Sequence, residues 1–197
     1  GDMQPLPETR GELLAVAAAL GADPQTDLLF GSRATRRAVV EAKLLDRRVV
    51  AFATHGLMPG ELPGISKPAL AMAVTADARE SPLLELDDVL GLRLNAQWVL
   101  LSACNTAAGE PGGGAMSGLV RGFFFAGARS VLATHWAVDS DSAAALSTAT
   151  FQTQAGASVS RSESLRQAQL ALIDGKLGGG RWRHPFHWAP YALFGDP

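Results

Sequence analysis

Four apolar runs constrain this chain more than any other feature. "RRVVAFAT" (47–54), "PALAMAV" (68–74), "QWVLLSA" (97–103) and "RSVLATHW" (129–136) are dense in Val, Leu and Ala. They do not alternate strictly between apolar and polar. A strand with one wet face alternates, whereas a strand covered on both faces does not need to. The runs therefore predict strands of a sheet with helices on both sides. A shorter run, "DLLF" (27–30), reads as one more strand ahead of them.

Segments of helical spacing lie between the runs. Thr9 with Glu12 has the form of a capping box, followed by Leu13, Leu14, Ala17 and Leu20, and Gly21 is a stop. Thr35 is placed to cap "RRAVVEAKLL", and residues 115–127 put Met116, Leu119, Val120 and Phe123 on one helical face. Ser140 is placed to cap "DSAAALSTATFQ", and "SESLRQAQLALID" (162–174) spaces Leu165, Gln169 and Leu172 by one turn. Strands alternating with helices imply right-handed crossovers and a mostly parallel sheet, hence an α/β fold in a single domain over 1–197. Residues 56–68, 105–114 and 175–185, rich in Gly and Pro, read as loops.

Composition narrows the function. The 197 residues are 47% apolar and 18% charged, which suits a globular chain with a sizeable core. A net charge of -2 gives no reason to expect a nucleic acid or an anionic membrane as partner. No apolar run reaches transmembrane length and no signal peptide is visible, so the expected location is cytoplasmic. The chain begins with Gly1, as expected of a piece of a longer protein or of a tag remnant. Its single cysteine, Cys104, rules out an internal disulfide framework and a multi-cysteine zinc site.

Cys104 reads either as a small packed thiol or as a nucleophile with a base beside it. Its position favours the second reading. Cys104 closes one strand run and His55 closes another, 49 residues earlier. In an open parallel sheet the carboxyl ends of the strands share one edge, where sites form. A free thiol has a pKa of about 8.5, so an imidazole within reach is needed to take its proton at neutral pH. Gly56 follows His55 at once, and a glycine lets a backbone N–H approach a substrate closely. The N–H groups of Gly56 and Cys104 form a natural oxyanion hole.

These residues sit in motifs that resemble a known family. "FATHG", then "LLSACNTAAGE", "GLVRGFFFAGARSVLATHWAVD", "SLRQAQLAL" and the closing "HPFHWAPYALFGD" look like a CHAT domain from about Leu6 to the end. CHAT domains are caspase-like, in one group with caspases, separases and gingipains. The resemblance implies a caspase-like three-layer α/β/α sandwich and a cysteine peptidase, with Cys104 as nucleophile and His55 as general base and acid. It implies a protein or peptide substrate, no cofactor, no metal, and a regulatory sensor or repeat domain as partner. The competing function is a silent scaffold or protein-binding module. One departure stands out: where the family has a small residue and Leu before Trp, this chain has Thr134 and His135. "ATH" thus occurs twice, and His135 remains a second candidate base, with bulky Trp136 rather than glycine after it.

The stretch "AVDSDSAA" carries Asp139 and Asp141, and the resemblance sets it near the pocket that reads P1, the residue before the scissile bond. A carboxylate there selects Arg or Lys and rejects acids. Either acid would also suit a helix start. Asp139 is the expected pocket acid and Asp141 the expected helix-start acid. "GEPGGGAMSGL" lacks the pattern of a phosphate loop, and His184 and His187, on either side of Pro185-Phe186, read as loop residues rather than a zinc pair. Trp182, Trp188 and Tyr191 read as packing residues.

Overall fold

A computed structural model describes residues 6, 8–60, 64–77, 79–102, 118–136, 138–156 and 159–197. Cys104 and the 105–114 stretch lie outside the described residues. The chain forms two compact units, one from Leu29–Ala137 with Tyr191–Asp196, the other from Gly1–Leu28 with Val138–Pro190.

The first unit holds a four-stranded sheet, built from β1 (Val49–Ala53), β5 (Trp98–Ser102), β6 (Ser130–Thr134) and β7 (Tyr191–Gly195) in that spatial order. The first three are parallel; β7 runs antiparallel to β6, with Thr134 opposite Tyr191 and Ser130 opposite Gly195. The sheet is thus mostly parallel in a mixed α/β fold, as expected. β7 is a strand in a segment that the apolar-run pattern did not single out. Val50, Phe52, Val99, Leu101, Val131 and Ala133 share a core with Val89 of α3 (Leu86–Gly91) and with Leu119, Val120 and Phe123 of α4 (Gly118–Ala126). Phe52 and Phe123 meet with ring centroids 5.6 Å apart. Trp98, Leu100 and Leu132, on alternate positions, are fully buried as well. This two-sided burial is why the runs do not alternate. Gly122 allows α4 to lie close on α3: a Cβ there would stand 2.7 Å from Leu86 Cδ1 and 3.2 Å from Val89 Cγ1.

The same unit holds a small antiparallel sheet of β2 (Gly56–Leu57), β3 (Ala69–Ala71) and β4 (Leu83–Glu85). This corrects two expectations. The run 68–74 supplies only three strand residues, and they join this small sheet rather than the parallel one. Gly56–Leu57, expected as loop, is strand. The outward backbone donors of β4 are met by side chains: the Leu83 N–H donates to Ser81 Oγ at 3.2 Å and the Glu85 N–H to Asp88 Oδ2 at 3.0 Å. A protected edge of this kind resists pairing with other strands. Thr35 caps α2 (Arg36–Val40) by accepting from the Ala38 N–H at 3.0 Å, as its sequence position predicted. Arg36 donates twice to Asp88, at 2.8 and 2.5 Å, and ties α2 to the start of α3. Residues 27–30 form no strand; Leu29 is exposed.

The second unit contains α1 (Glu8–Leu20), α5 (Ser140–Gly156) and α6 (Arg161–Ile173). α1 ends at Gly21, whose φ of 68° is the left-handed stop that the glycine predicted. Its start differs from expectation. Thr9 lies inside the helix, and Glu12 is buried and accepts a hydrogen bond from Ser147 Oγ on α5 at 3.0 Å. The cap of α5 is Asp139 rather than Ser140: the Ser142 N–H donates to Asp139 Oδ1 at 3.0 Å. Ser160 caps α6 by accepting from the Glu163 N–H at 3.2 Å. Leu165 and Leu172 are buried on α6, while Gln169 spends its amide on the Trp188 carbonyl at 3.0 Å.

Candidate functional site

The parallel pairing of β1 with β5 sets Ala53 opposite Ser102, and the Thr54 N–H donates to the Ser102 carbonyl at 3.3 Å. The two strands therefore end together at one edge of the sheet. His55 is two residues past the last paired position of β1. Cys104 is two residues past that of β5 in sequence, outside the described residues.

His55 stands where the chain leaves one sheet and enters the other. Its carbonyl accepts from the Ala71 N–H at 2.9 Å, which makes His55 and Ala71 a hydrogen-bonded pair. The next pair, Gly56 opposite Leu70, is then a non-hydrogen-bonded one, because such pairs alternate in an antiparallel ladder. The Gly56 N–H accordingly points away from β3. The His55 side chain is half-buried.

The second histidine differs in setting. His135 follows directly on Thr134 at the end of β6, and its ring lies edge-on to Phe194 of β7, with centroids 6.3 Å apart. Trp136 after it is exposed.

Asp139 and Asp141 both lie at the start of α5. Asp139 is exposed and uses Oδ1 in the helix cap; Asp141 is exposed in the first helical turn. His184 Nδ1 accepts from the Phe186 N–H at 3.2 Å, and His187 Nδ1 lies 3.1 Å from Ser142 Oγ. Among the described residues no group of His, Cys, Asp and Glu is arranged to hold a metal ion. No helix among them is long and apolar enough to cross a membrane.

A cleft of about 770 Å³ opens beside α2 and β4, lined by Arg36, Arg79, Asp77, Glu80, Glu85 and Asp88. Arg36 is paired with Asp88 and Arg79 with Asp77. Arg36 holds the Asp88 carboxyl below its ordinary range, chiefly through its hydrogen bonds. The Arg36–Asp88 pair on its wall ties α2 to α3.

A mostly parallel α/β sheet with a histidine and an outward glycine amide at its edge defines a class to which a family can be matched. Residues 2–196 match the CHAT domain family, and the chain belongs to it. That family is related to caspase-like cysteine peptidases, and the sheet described above fits a caspase-like fold. The chain is also similar to Tetratricopeptide repeat protein 28 of Mus musculus, with 29% identity over 221 residues. The similarity covers 98% of this chain but 9% of that protein.

Sequence reasoning missed the Ser142–His187 contact. It joins residues 45 positions apart, and no local pattern announces such a pair.

Proposed function

We propose that this domain is a cysteine endopeptidase with Cys104 as nucleophile and His55 as its base and acid. One observation carries the reading: the parallel register Ala53–Ser102, from which His55 and Cys104 each follow by two residues. In the proposed reaction His55 takes the Cys104 thiol proton, and the thiolate attacks the scissile carbonyl carbon. The N–H groups of Gly56 and Cys104 stabilise the oxyanion. Collapse of the tetrahedral adduct expels the amine, which receives its proton from the imidazolium. Water then attacks the thioester, giving up its proton to His55, and the thiol is restored. No cofactor enters these steps.

The substrate we propose is a protein cut after a basic residue, with Asp139 as the acid that meets the Arg or Lys side chain and Asp141 serving the helix start. The single bond from the helix start to Oδ1 is compatible with this role, because a carboxylate has a second oxygen with which to accept.

The similarity to a tetratricopeptide repeat protein, of which this chain spans so small a part, favours a second reading for the partner. A repeat domain would hold or release the peptidase, and a member held permanently silent would be a scaffold.

The test is a substrate-profiling digest in which wild type is compared with Cys104→Ala. Cleavage by wild type alone supports the peptidase. Comparable cleavage by both, or by neither, together with slow iodoacetamide labelling of Cys104, overturns it in favour of the scaffold.

A further inference from the structure

The amino ends of the parallel strands carry a row of polar residues that the proposed reaction does not use. The register of β1 with β5 continues one step back from Val49 and Trp98 to Arg48 and Gln97. The Gln97 N–H donates to the Arg48 carbonyl at 2.8 Å. The register of β5 with β6 continues back to Arg129 beside Gln97, and that of β6 with β7 on to Asp196 beside Arg129. The Asp196 N–H donates to the Arg129 carbonyl at 3.0 Å. Arg48, Gln97, Arg129 and Asp196 thus stand in one row across four strands, all exposed. Neighbouring strands lie about 4.8 Å apart, so the backbones of Arg48 and Arg129 are about 10 Å apart along the row. Exposed Arg93 lies alongside: the Leu94 N–H donates to the Ala126 carbonyl at 2.8 Å, which holds 93–97 beside the turn that leads into Arg129.

The charges of this row are left over from the fold. Arg36, Arg37, Arg79 and Arg166 each pair with a neighbouring acid. Arg48, Arg93 and Arg129 form no ion pair among the described residues, and Asp196 beside Arg129 is not paired with it. Arg47 adds a cation next to Arg48, and the acids that flank the row are Asp46 and Asp196. A chain of net charge -2 therefore gathers cations at one edge of its sheet.

We propose that this edge docks an acidic segment of a partner protein. Arg48 and Arg129 each take a carboxylate of that segment in their planar forks, Arg93 takes a third, and the Gln97 amide between them meets its backbone. A nucleic acid is the poorer occupant. Its bases stack on aromatic rings, and the row offers none: Trp98, next after Gln97, is 1% exposed. The strands are five residues long, about 16 Å, and His55 and Cys104 follow their opposite ends. A partner on the amino edge thus leaves the candidate catalytic edge open, and its docking does not depend on the domain being a peptidase.

The test is fluorescence anisotropy on the whole chain, with a fluorescein-labelled oligoglutamate peptide and, beside it, a labelled oligothymidylate of equal charge. Oligoglutamate is expected to bind at low salt and to be released as salt rises, since exposed charges are screened. Arg48→Gln/Arg129→Gln should weaken its binding by about tenfold. Arg121→Gln/Arg181→Gln removes the same charge from exposed positions outside the row and should weaken it by less than about twofold. Asp196→Asn should tighten it by about twofold, an increase that misfolding would not produce. Failure of oligoglutamate to bind at low salt overturns the proposal. So do equal losses in the two double variants, because net charge rather than the row would then attract the peptide. Weaker binding by Asp196→Asn counts against the row as well. Tighter binding of oligothymidylate that is lost in Arg48→Gln/Arg129→Gln overturns the protein partner in favour of a nucleic acid.

Discussion

The two units of this chain bury different chemistry. The sheet unit closes over Leu70, Leu84, Val89, Leu101, Leu119 and Phe123, all fully buried, and its few buried polar residues, Ser102, Ser130 and Thr134, sit on strand ends. The helical unit buries Val16, Leu146, Phe151 and Leu172 but also Glu12, Ser142, Ser147, Thr150 and Ser164. Each of those polar groups has a directed partner. Ser147 donates to Glu12, Thr150 Oγ1 to the Leu146 carbonyl at 2.8 Å, and Ser164 Oγ to the Ser160 carbonyl at 3.0 Å. Apolar burial is non-directional and scales with area, whereas a buried hydrogen bond contributes little net and costs much when halved. The sheet unit is therefore sensitive mainly to lost volume, and the helical unit also to the loss of one member of a buried pair.

The largest effect should come from breaking volume. Phe123→Ala should destabilise by about 4 kcal/mol in urea unfolding, because the ring is fully buried between helix and sheet. A loss under about 1 kcal/mol would mean that the sheet core is not closed as described.

Asp88 is the sheet unit's own exception, a carboxylate that accepts from Arg36 and from the Glu85 N–H at once. Asp88→Ala should cost about 2 to 3 kcal/mol at neutral pH. Because Arg36 lowers the folded-state pKa of this carboxyl, its contribution is present above the ordinary carboxylate range. That contribution is lost as pH falls through the lowered value. The stability gap between wild type and variant should narrow on acidification, and a gap that widens would contradict the pairing.

In the helical unit, Glu12→Ala should cost about 2 kcal/mol, since it strands the buried Ser147 hydroxyl. Glu12→Gln keeps an acceptor and should cost less than about 1 kcal/mol. Equal losses for the two would mean that Glu12 acts through its charge rather than through this bond.

The smallest effect among the alanine variants is expected for Thr35→Ala, about 1 kcal/mol, for the cap of a five-residue helix. Thermal melts of this variant beside Phe123→Ala calibrate how far local capping lags behind core volume.

The same contrast explains what could be read from the sequence. β5 and β6 were legible because burial on both faces writes a continuous apolar run, and β1 carries the same kind of run although Val49, Ala51 and Ala53 are only half-buried. Direction and sheet membership are not written there, so "PALAMAV" was read as a parallel strand although Ala69–Ala71 pairs antiparallel in the small sheet. β7 is half-buried over Ala192–Phe194 and follows a Pro and aromatic segment that obscures its start. Leu28 and Leu29 are apolar in sequence but follow the turn at Asp23–Thr26, and Leu29 faces solvent. At the candidate site, the glycine after His55 is what sets "ATHG" apart from "ATHW", where His135 also ends a buried run. Ser140 and Asp139 are both competent caps, and only the bond from the Ser142 N–H decides between them. Glu12 fits a capping pattern in one dimension and a buried partner in three.

β7 has a further consequence, for the order of events in folding. Its partner β6 precedes the whole stretch that builds α5 and α6, so pairing Thr134 with Tyr191 closes a long loop, whereas β5 and β6 are joined by a shorter one. Loop closure is a kinetic cost that must be met before the contacts it permits. The parallel strands can therefore assemble first, and the antiparallel strand adds last. Contacts that form after the barrier change the unfolding rate and leave the folding rate nearly untouched. On this order β7 governs how long the finished sheet lasts rather than how quickly it appears.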